Sequence, residues 1–300
     1  MVAIRVWNQC NNNCVMCSNY SVINMQEWRN IDYFVNTIKE REPSPKEITL
    51  TGGEPFLNPK IFNLLKKLEA SYPETPINIL SNGRVFYYDK YCEELKKHLN
   101  KNIKIAISLL GPNPKIHDSI TKARGSFNQT VKGVQNLIKR KIPVELRVII
   151  LKQNFEKLED ITQFIIKNLR GVEYVVFIFV DLISNAQKNK EQVAVSYSEA
   201  LPRLSNSMSL LKEKGIDFRI YHFPLCIVPY EFWENSWISV EKSKIIKPKS
   251  CSKCQYSKYC VGILKGYYNN FGAKEFKIPL GIKITESNNQ NKPILKVEYG

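Results

Sequence analysis

Along residues 1–222 two hydrophobic periods take turns, one of two residues and one near 3.6, and nothing else in the chain narrows its fold as far. Val2–Trp7 reads as a short, mostly apolar strand. Asn30 then caps a helix whose Ile31, Phe34, Val35 and Ile38 share one face. Residues 47–51 form a second strand. Asn58-Pro59 opens the next helix as cap and first residue, with Ile61, Leu64, Leu65 and Leu68 as its stripe. The strand Ile77–Ser81 precedes a helix over residues 88–99 that carries Cys92. Residues 103–109 are a fourth strand, and Ser126 with Gln129 reads as a capping box for a helix that buries Phe127, Val131, Val134 and Ile138. A strand over 144–151, a helix bearing Leu158, Ile161, Ile165 and Leu169, and a strand over 173–180 complete six repeats. A last helix shows Leu201, Leu204, Met208 and Leu211 on one face and stops at Gly215. Such alternation implies a parallel sheet covered by helices. The expected fold is therefore α/β, a partial (β/α)6 TIM-like barrel with any active site at the C-terminal ends of its strands.

Three thiols follow the first strand in the run Cys10-Asn11-Asn12-Asn13-Cys14-Val15-Met16-Cys17. A C-x3-C-x2-C spacing can meet one object only if a tight loop folds around it. Zinc sites usually take four ligands, often as paired C-x2-C knuckles. Three soft sulfur ligands suit a cubane iron–sulfur cluster better, and leave one of its irons open to a reactant. A zinc loop or a disulfide is the competing reading of the spacing.

Taken with later motifs, this loop resembles the signature of the radical S-adenosylmethionine (SAM) enzymes. Thr51-Gly52-Gly53-Glu54-Pro55 is similar to that family's Gly-Gly-Glu-Pro motif at the end of its second strand. Ser81-Asn82-Gly83 and Ser108-Leu109-Leu110-Gly111 fall where the family has further strand-end loops. His117-Asp118 through Gly125-Ser126-Phe127 resembles its fourth strand–helix connection. The resemblance covers about residues 1–222. Where the family usually has an aromatic residue before the last loop cysteine, this chain has Met16, a flexible thioether able to fill the same space.

The resemblance implies that Cys10, Cys14 and Cys17 hold a [4Fe–4S] cluster whose free iron chelates the amino and carboxylate groups of SAM. By the same token Gly52, Gly53 and Pro55 lie along the methionine part of SAM and Glu54 takes its ammonium, the glycines allowing close backbone approach. It implies one-electron cleavage of the C5′–S bond and a 5′-deoxyadenosyl radical that takes hydrogen from substrate, the protein positioning and shielding that reactivity. Glu145 and Arg147 share a strand face with Ile149. Facing inward, Arg147 would offer a bidentate fork to the SAM carboxylate; facing outward, both would be solvated. Asn82 and Ser108 read as ribose contacts or as local turn residues.

Residues 223–300 break the rhythm. Cys226, then Cys251-x2-Cys254-x5-Cys260, stand in a stretch studded with lysines at 242, 244, 247, 249, 253 and 258. The spacing resembles the SPASM or shorter twitch extension, which binds auxiliary [4Fe–4S] clusters. Four thiols imply one auxiliary cluster, although structural zinc fits the same ligand count. Two units are expected, a radical SAM partial barrel over 1–222 and a small cysteine-rich C-terminal domain over 223–300.

A net charge of +16 points to an anionic partner, whether nucleic acid, an acidic peptide or an acidic flavodoxin- or ferredoxin-type electron donor, or else to solvated lysine-rich faces. Seven of the eight cysteines fall in two groups, unlike a secreted disulfide framework. No signal peptide and no membrane-spanning apolar run is visible, so a cytoplasmic location is expected. Cys92 reads as a small buried residue, His117 and Asp118 as hydrogen-bonding residues of a loop or helix start, and Tyr267 and Tyr268 as packing of the small domain. No Walker loop or dinucleotide fingerprint is present. The leading expectation is a peptide or protein substrate, modified by crosslinking, epimerisation or oxidation. Carbohydrate dehydrogenation, cofactor biosynthesis and RNA modification are alternatives within the family, and a non-catalytic metal-binding nucleic-acid scaffold is the alternative outside it.

Overall fold

The computed structural model describes residues 2–20, 29–99 and 102–298. Eight strands lie side by side in sequence order, β1 (Val2–Trp7), β2 (Ile48–Gly52), β3 (Ile77–Ser81), β4 (Ile103–Ser108), β5 (Val144–Ile150), β6 (Tyr174–Phe179), β7 (Phe218–Tyr221) and β8 (Ser236–Trp237). Every neighbouring pair is parallel. Among the described residues β1 and β8 do not pair with each other, so the sheet is an open, partial barrel. The six strands read from periodicity are thus present, and two short ones extend them. Neither β7 nor β8 is long enough to show a period, and β8 lies beyond residue 222.

Helices α1 (Ile31–Arg41), α2 (Ile61–Ser71), α3 (Asp89–Lys97), α4 (Pro114–Thr121), α5 (Ser126–Lys139), α6 (Leu158–Asn168) and α9 (Tyr197–Glu213) accompany the strands, with the short α7 (Ser184–Lys188) and α8 (Lys190–Val193) after β6. Their stripes are buried as the periodicity demands: Ile61, Leu64, Leu65 and Leu68 of α2 are each at most 1% exposed. Burying one such side chain stabilises the fold by roughly 1.5–3 kcal/mol. One core runs from Val2 on β1 to Val297, so the C-terminal segment shares it with the barrel. That segment adds β9 (Ile245–Ile246) paired with β10 (Ile263–Leu264), α10 (Lys265–Phe271) and the hairpin β11 (Lys283–Asn289) and β12 (Lys292–Glu298).

Two expected caps differ. No Ser126–Gln129 box forms. Gly125 occupies the cap of α5 in a left-handed conformation, and Asp118 replaces the serine, accepting from Gly125 N, Phe127 N and Ser126 Oγ at 2.6–2.8 Å. A carboxylate seven residues upstream can reach three donors at once, which a serine hydroxyl cannot. Asn58 sits two residues ahead of α2, its Oδ1 taking Lys60 N–H at 2.9 Å and its amide bonding Val6 O at 2.8 Å.

Inside the sheet the residues opposite the apolar face meet across strands. Glu145 accepts from Arg147 Nε at 2.5 Å and from Tyr174 OH at 2.7 Å, and Lys104 Nζ lies 3.6 Å away. Burial opposes its charge, but Arg147, Tyr174 and Lys104 outweigh that and hold the carboxyl below its usual range. Arg219 lies between the Tyr174 and Trp237 rings, 3.7 and 3.9 Å from their centroids. Lys104, Glu145, Tyr174 and Arg219 are first or second in their strands, so this network closes the floor and leaves the C-terminal ends as the mouth.

Gly133 of α5 sets the loop after β3, because a Cβ there would stand 2.3 Å from Gly83 O. Gly133→Ala is expected to lower stability by about 1–3 kcal/mol through overpacking, measured as a shift in the denaturant midpoint.

Candidate active site at the strand ends

The cysteine loop leaves β1 and folds back over the mouth, held by main-chain bonds. Gly53 N donates to Trp7 O at 2.7 Å and Glu54 N to Gln9 O at 2.8 Å. Asn13 N and Val15 N donate to Thr121 O and Ile120 O of α4 at 2.9 and 3.0 Å. From beyond β6, Asn185 Nδ2 reaches Cys14 O at 2.8 Å and Asn189 Nδ2 reaches Val15 O at 3.0 Å. Met16 packs beside Val15, Leu110, Ile120 and Leu151.

These bonds bring Cys10, Cys14 and Cys17 within electrostatic reach of one another. Burial pushes Cys10 up to about 11 and Cys14 up to about 12, and the neighbouring thiols add to both. Asn12 N at 3.4 Å and Asn82 Nδ2 at 3.9 Å aim donors at Cys10 Sγ and oppose the rise. Thiols gathered this closely repel one another as thiolates, and a bound cationic group would offset both that repulsion and the cost of their burial.

Gly52 and Gly53 owe their identity to the chain itself. A Cβ on Gly52 would lie 2.2 Å from Trp7 O, and one on Gly53 would lie 2.3 Å from Gln9 O. The close approach expected toward a ligand is therefore made first to the base of the cysteine loop. Pro55 is buried at the start of a short 3₁₀ turn. Glu54 is 1% exposed, accepting from Phe56 N at 3.2 Å, Ser81 Oγ at 2.8 Å and Asn82 N at 2.7 Å. Burial raises its pKa to about 7 against those three bonds. It ties the ends of β2 and β3 together. Asn82 meets Asn11 Oδ1 at 2.6 Å and, through its own Oδ1, Arg84 N at 3.0 Å.

Ser108 ends β4 beside Arg147 of β5, its register partner. Glu145 and Arg147 do face inward, but Arg147 commits its Nε to Glu145. His117 is buried and its Nδ1 accepts from Leu110 N at 3.2 Å, the expected hydrogen-bonding role. Cys92 is fully buried in α3. Tyr267 is fully buried against Tyr197 and Phe271.

Far along the chain, Cys226, Cys251, Cys254 and Cys260 all line one small pocket of about 40 Å³. Cys226 is brought to the others by the turn after β7, and its thiol is pushed up to about 12 by burial first and by Cys260, Cys251 and Cys254 next. Cys260 Sγ accepts from Leu225 N and Gly262 N, each at 3.4 Å. Phe276, Lys277, Ile278 and Pro279 complete the wall. Among the described residues no three His, Cys, Asp or Glu side chains close on a single metal ion.

Three residues escaped the sequence reading. Arg84 reaches the cysteine loop at Asn11 O and at Asn12 Oδ1 (2.8 Å) and is fixed by Gln129 at 2.6 Å. Asn185 and Asn189 grip the same loop from the other side. Each looks like an ordinary loop or helix polar residue, and only the fold shows that their partner lies about 70 or 170 residues away.

A family model described as the radical SAM superfamily matches residues 4–165. A GTP 3′,8-cyclase of Petrotoga mobilis is 25% identical over 181 residues, 57% of this chain and 54% of that protein. The antilisterial bacteriocin subtilosin biosynthesis protein AlbA of Bacillus subtilis is 29% identical over 114 residues, 38% of this chain and 25% of that protein. Streptococcus suis SuiB, solved bound to the precursor peptide SuiA, superposes with a TM-score of 0.60 at 15% identity, over 73% of this chain and 48% of its own, a likeness of fold. The chain spans about half the length of the cyclase it matches.

Arg84→Ala removes the charge-assisted bonds that clamp the loop, each worth about 1.5–3 kcal/mol. Iron bound to the N-terminal triad is expected to leave about tenfold faster under chelator challenge, and Arg84→Lys should recover part of the difference.

Proposed function

The chain belongs to the radical SAM superfamily, and from that premise we propose that it cleaves SAM reductively at Cys10, Cys14 and Cys17 to modify a peptide or protein substrate. Membership implies a [4Fe–4S] cluster and SAM. When bound, these supply a 5′-deoxyadenosyl radical for hydrogen abstraction. The observation that carries the reading is the clamping of three thiols at the mouth, beside Gly53-Glu54 and Asn82.

In this reading the chain's own groups bind and orient. Asn12 and Asn82 direct donors at Cys10 and favour its thiolate. Glu54, already holding three donors, presents its remaining lone-pair capacity to the SAM ammonium, and a cation there would offset its burial. Gly52, Gly53 and Pro55 shape the methionine wall. Asn82 and Ser108 serve the ribose, and Arg147 offers its terminal nitrogens to the carboxylate.

Residues 1–222 would form the catalytic barrel, and 223–300 would carry one auxiliary [4Fe–4S] cluster on Cys226, Cys251, Cys254 and Cys260. Convergence of all four thiols on one pocket supports a shared metal centre there, and the likeness of their spacing to auxiliary-cluster extensions favours iron–sulfur over zinc. A flavodoxin- or ferredoxin-type protein would supply electrons, and the lysines around this pocket suit its acidic surface.

The peptide reading is supported by AlbA, named for bacteriocin biosynthesis, and by the fold likeness to SuiB. The GTP 3′,8-cyclase relative favours a small-molecule substrate as the second reading. A short precursor-peptide reading frame beside the gene would favour the first, and its absence the second.

Anaerobically reconstituted protein is expected to hold about eight irons and eight sulfides per chain and to release 5′-deoxyadenosine from SAM under reduction. Cys14→Ala should abolish that release while keeping about half the iron. Four irons with one zinc in the wild type would refute the auxiliary cluster, and intact SAM after reduction would refute the enzyme.

A further inference from the structure

Non-glycine residues with positive φ among those described are Lys122, Lys141, Ser184 and His222. Lys122 and Lys141 close α4 and α5, where a left-handed residue is ordinary. Ser184 opens α7. His222, at φ 70, belongs to no helix end and follows β7 directly at the mouth of the barrel. A residue with a Cβ is strained in that conformation and persists in it only where its surroundings impose it.

The surroundings do so. Tyr197 OH donates to His222 O at 2.7 Å, and His222 Nδ1 lies 3.0 Å from Phe179 O. A carbonyl oxygen only accepts, so Nδ1 carries the proton and Nε2 is the bare nitrogen of a neutral ring. Burial, with Arg147 and Lys244 adding to it and the Phe179 carbonyl opposing, lowers the ring's pKa to about 4. Nε2 forms no hydrogen bond among the described residues and is not one of the fully buried orphan atoms, so in this half-buried residue it is left as an unpartnered acceptor not wholly sealed from solvent. On the neighbouring strand end, Asp181 leaves Oδ1 buried without a partner. The loops assigned to SAM follow β1 to β4 and Arg147 stands on β5, within electrostatic reach of His222, whereas His222 itself follows β7, two strands beyond β5.

We propose that His222 is a substrate-contacting residue whose Nε2 accepts a hydrogen bond from an N–H or O–H of the bound substrate, at the β7 end of the mouth, beyond the Arg147 assigned to SAM. The substrate is thereby one that presents a donor near its reacting carbon, as a peptide amide or side-chain amine does. The reaction served rests on the radical SAM reading; the acceptor itself does not.

Diethyl pyrocarbonate applied to the reconstituted holoprotein at neutral pH, read peptide by peptide by mass spectrometry, tests the geometry. His222 should react at least about tenfold faster than His117, whose buried ring is already bonded to Leu110. Saturating SAM should change that rate by less than about twofold. Labelling no faster than His117, or protection of about tenfold by SAM, would overturn the proposal. His222→Asn keeps the left-handed backbone and a donor for Phe179 O but lacks the Nε2 acceptor, which His222→Gln can restore. With a synthetic peptide from the neighbouring reading frame as probe, kcat/KM should fall about tenfold in the asparagine variant and recover in part with glutamine. Undiminished turnover by His222→Asn would also overturn it. A wild type that leaves SAM intact defeats the radical reading, while the labelling rate still decides His222.

Discussion

The attachment of the cysteine loop to the strand ends is the contact on which the rest depends. A loop of three thiols and three asparagines offers only Val15 and Met16 as apolar surface to bury, too little for it to hold its own shape. Its shape is imposed by main-chain bonds from Gly53, Glu54, Ile120 and Thr121, and by the side chains of Arg84, Asn185 and Asn189. Those partners come from the connections after four different strands, β2, β3, β4 and β6. Only a parallel sheet, which gathers every such connection at one end, can assemble them.

The same constraint explains the Gly-Gly-Glu-Pro stretch. Its glycines let β2 press against the base of the cysteine loop, and its glutamate ties β2 to β3 from inside. A carboxylate with that much burial is costly unless its lone pairs are used, and three donors use them. The position therefore supports the site before any ligand arrives, and a cation bound there adds to an arrangement already made. The floor network around Glu145 does the complementary work of closing the far end.

The C-terminal segment shares the barrel's core, so its four-cysteine pocket is positioned by packing and not by a linker. Aromatic rings carry the connection: Phe179 at the end of β6 stacks on Tyr197 at 3.9 Å, Tyr197 meets Tyr267 at 4.4 Å, and Tyr267 reaches Phe276 in the pocket wall at 6.0 Å. The Tyr197 hydroxyl in this stack is the one that holds the strained backbone of His222.

Much of this was legible in the residues alone. Periodicity identified the first six strands and one helix after each, because a stripe at 3.6 or an alternation at two has one burial solution each, but it missed the short α4 between β4 and α5. The spacing of Cys10, Cys14 and Cys17 singled out the loop, since thiols that close in sequence are close in any fold. The buried role of Cys92 and the hydrogen-bonding role of His117 were legible too, whereas the burial of His117 within α4 was not. Tertiary structure alone decided that Asp118 caps α5, that Arg84 and two asparagines clamp the loop, and that His222 is held in a left-handed conformation after β7. Each of these depends on groups remote in sequence being brought within hydrogen-bond or ligand distance, and chain spacing carries no record of such distances.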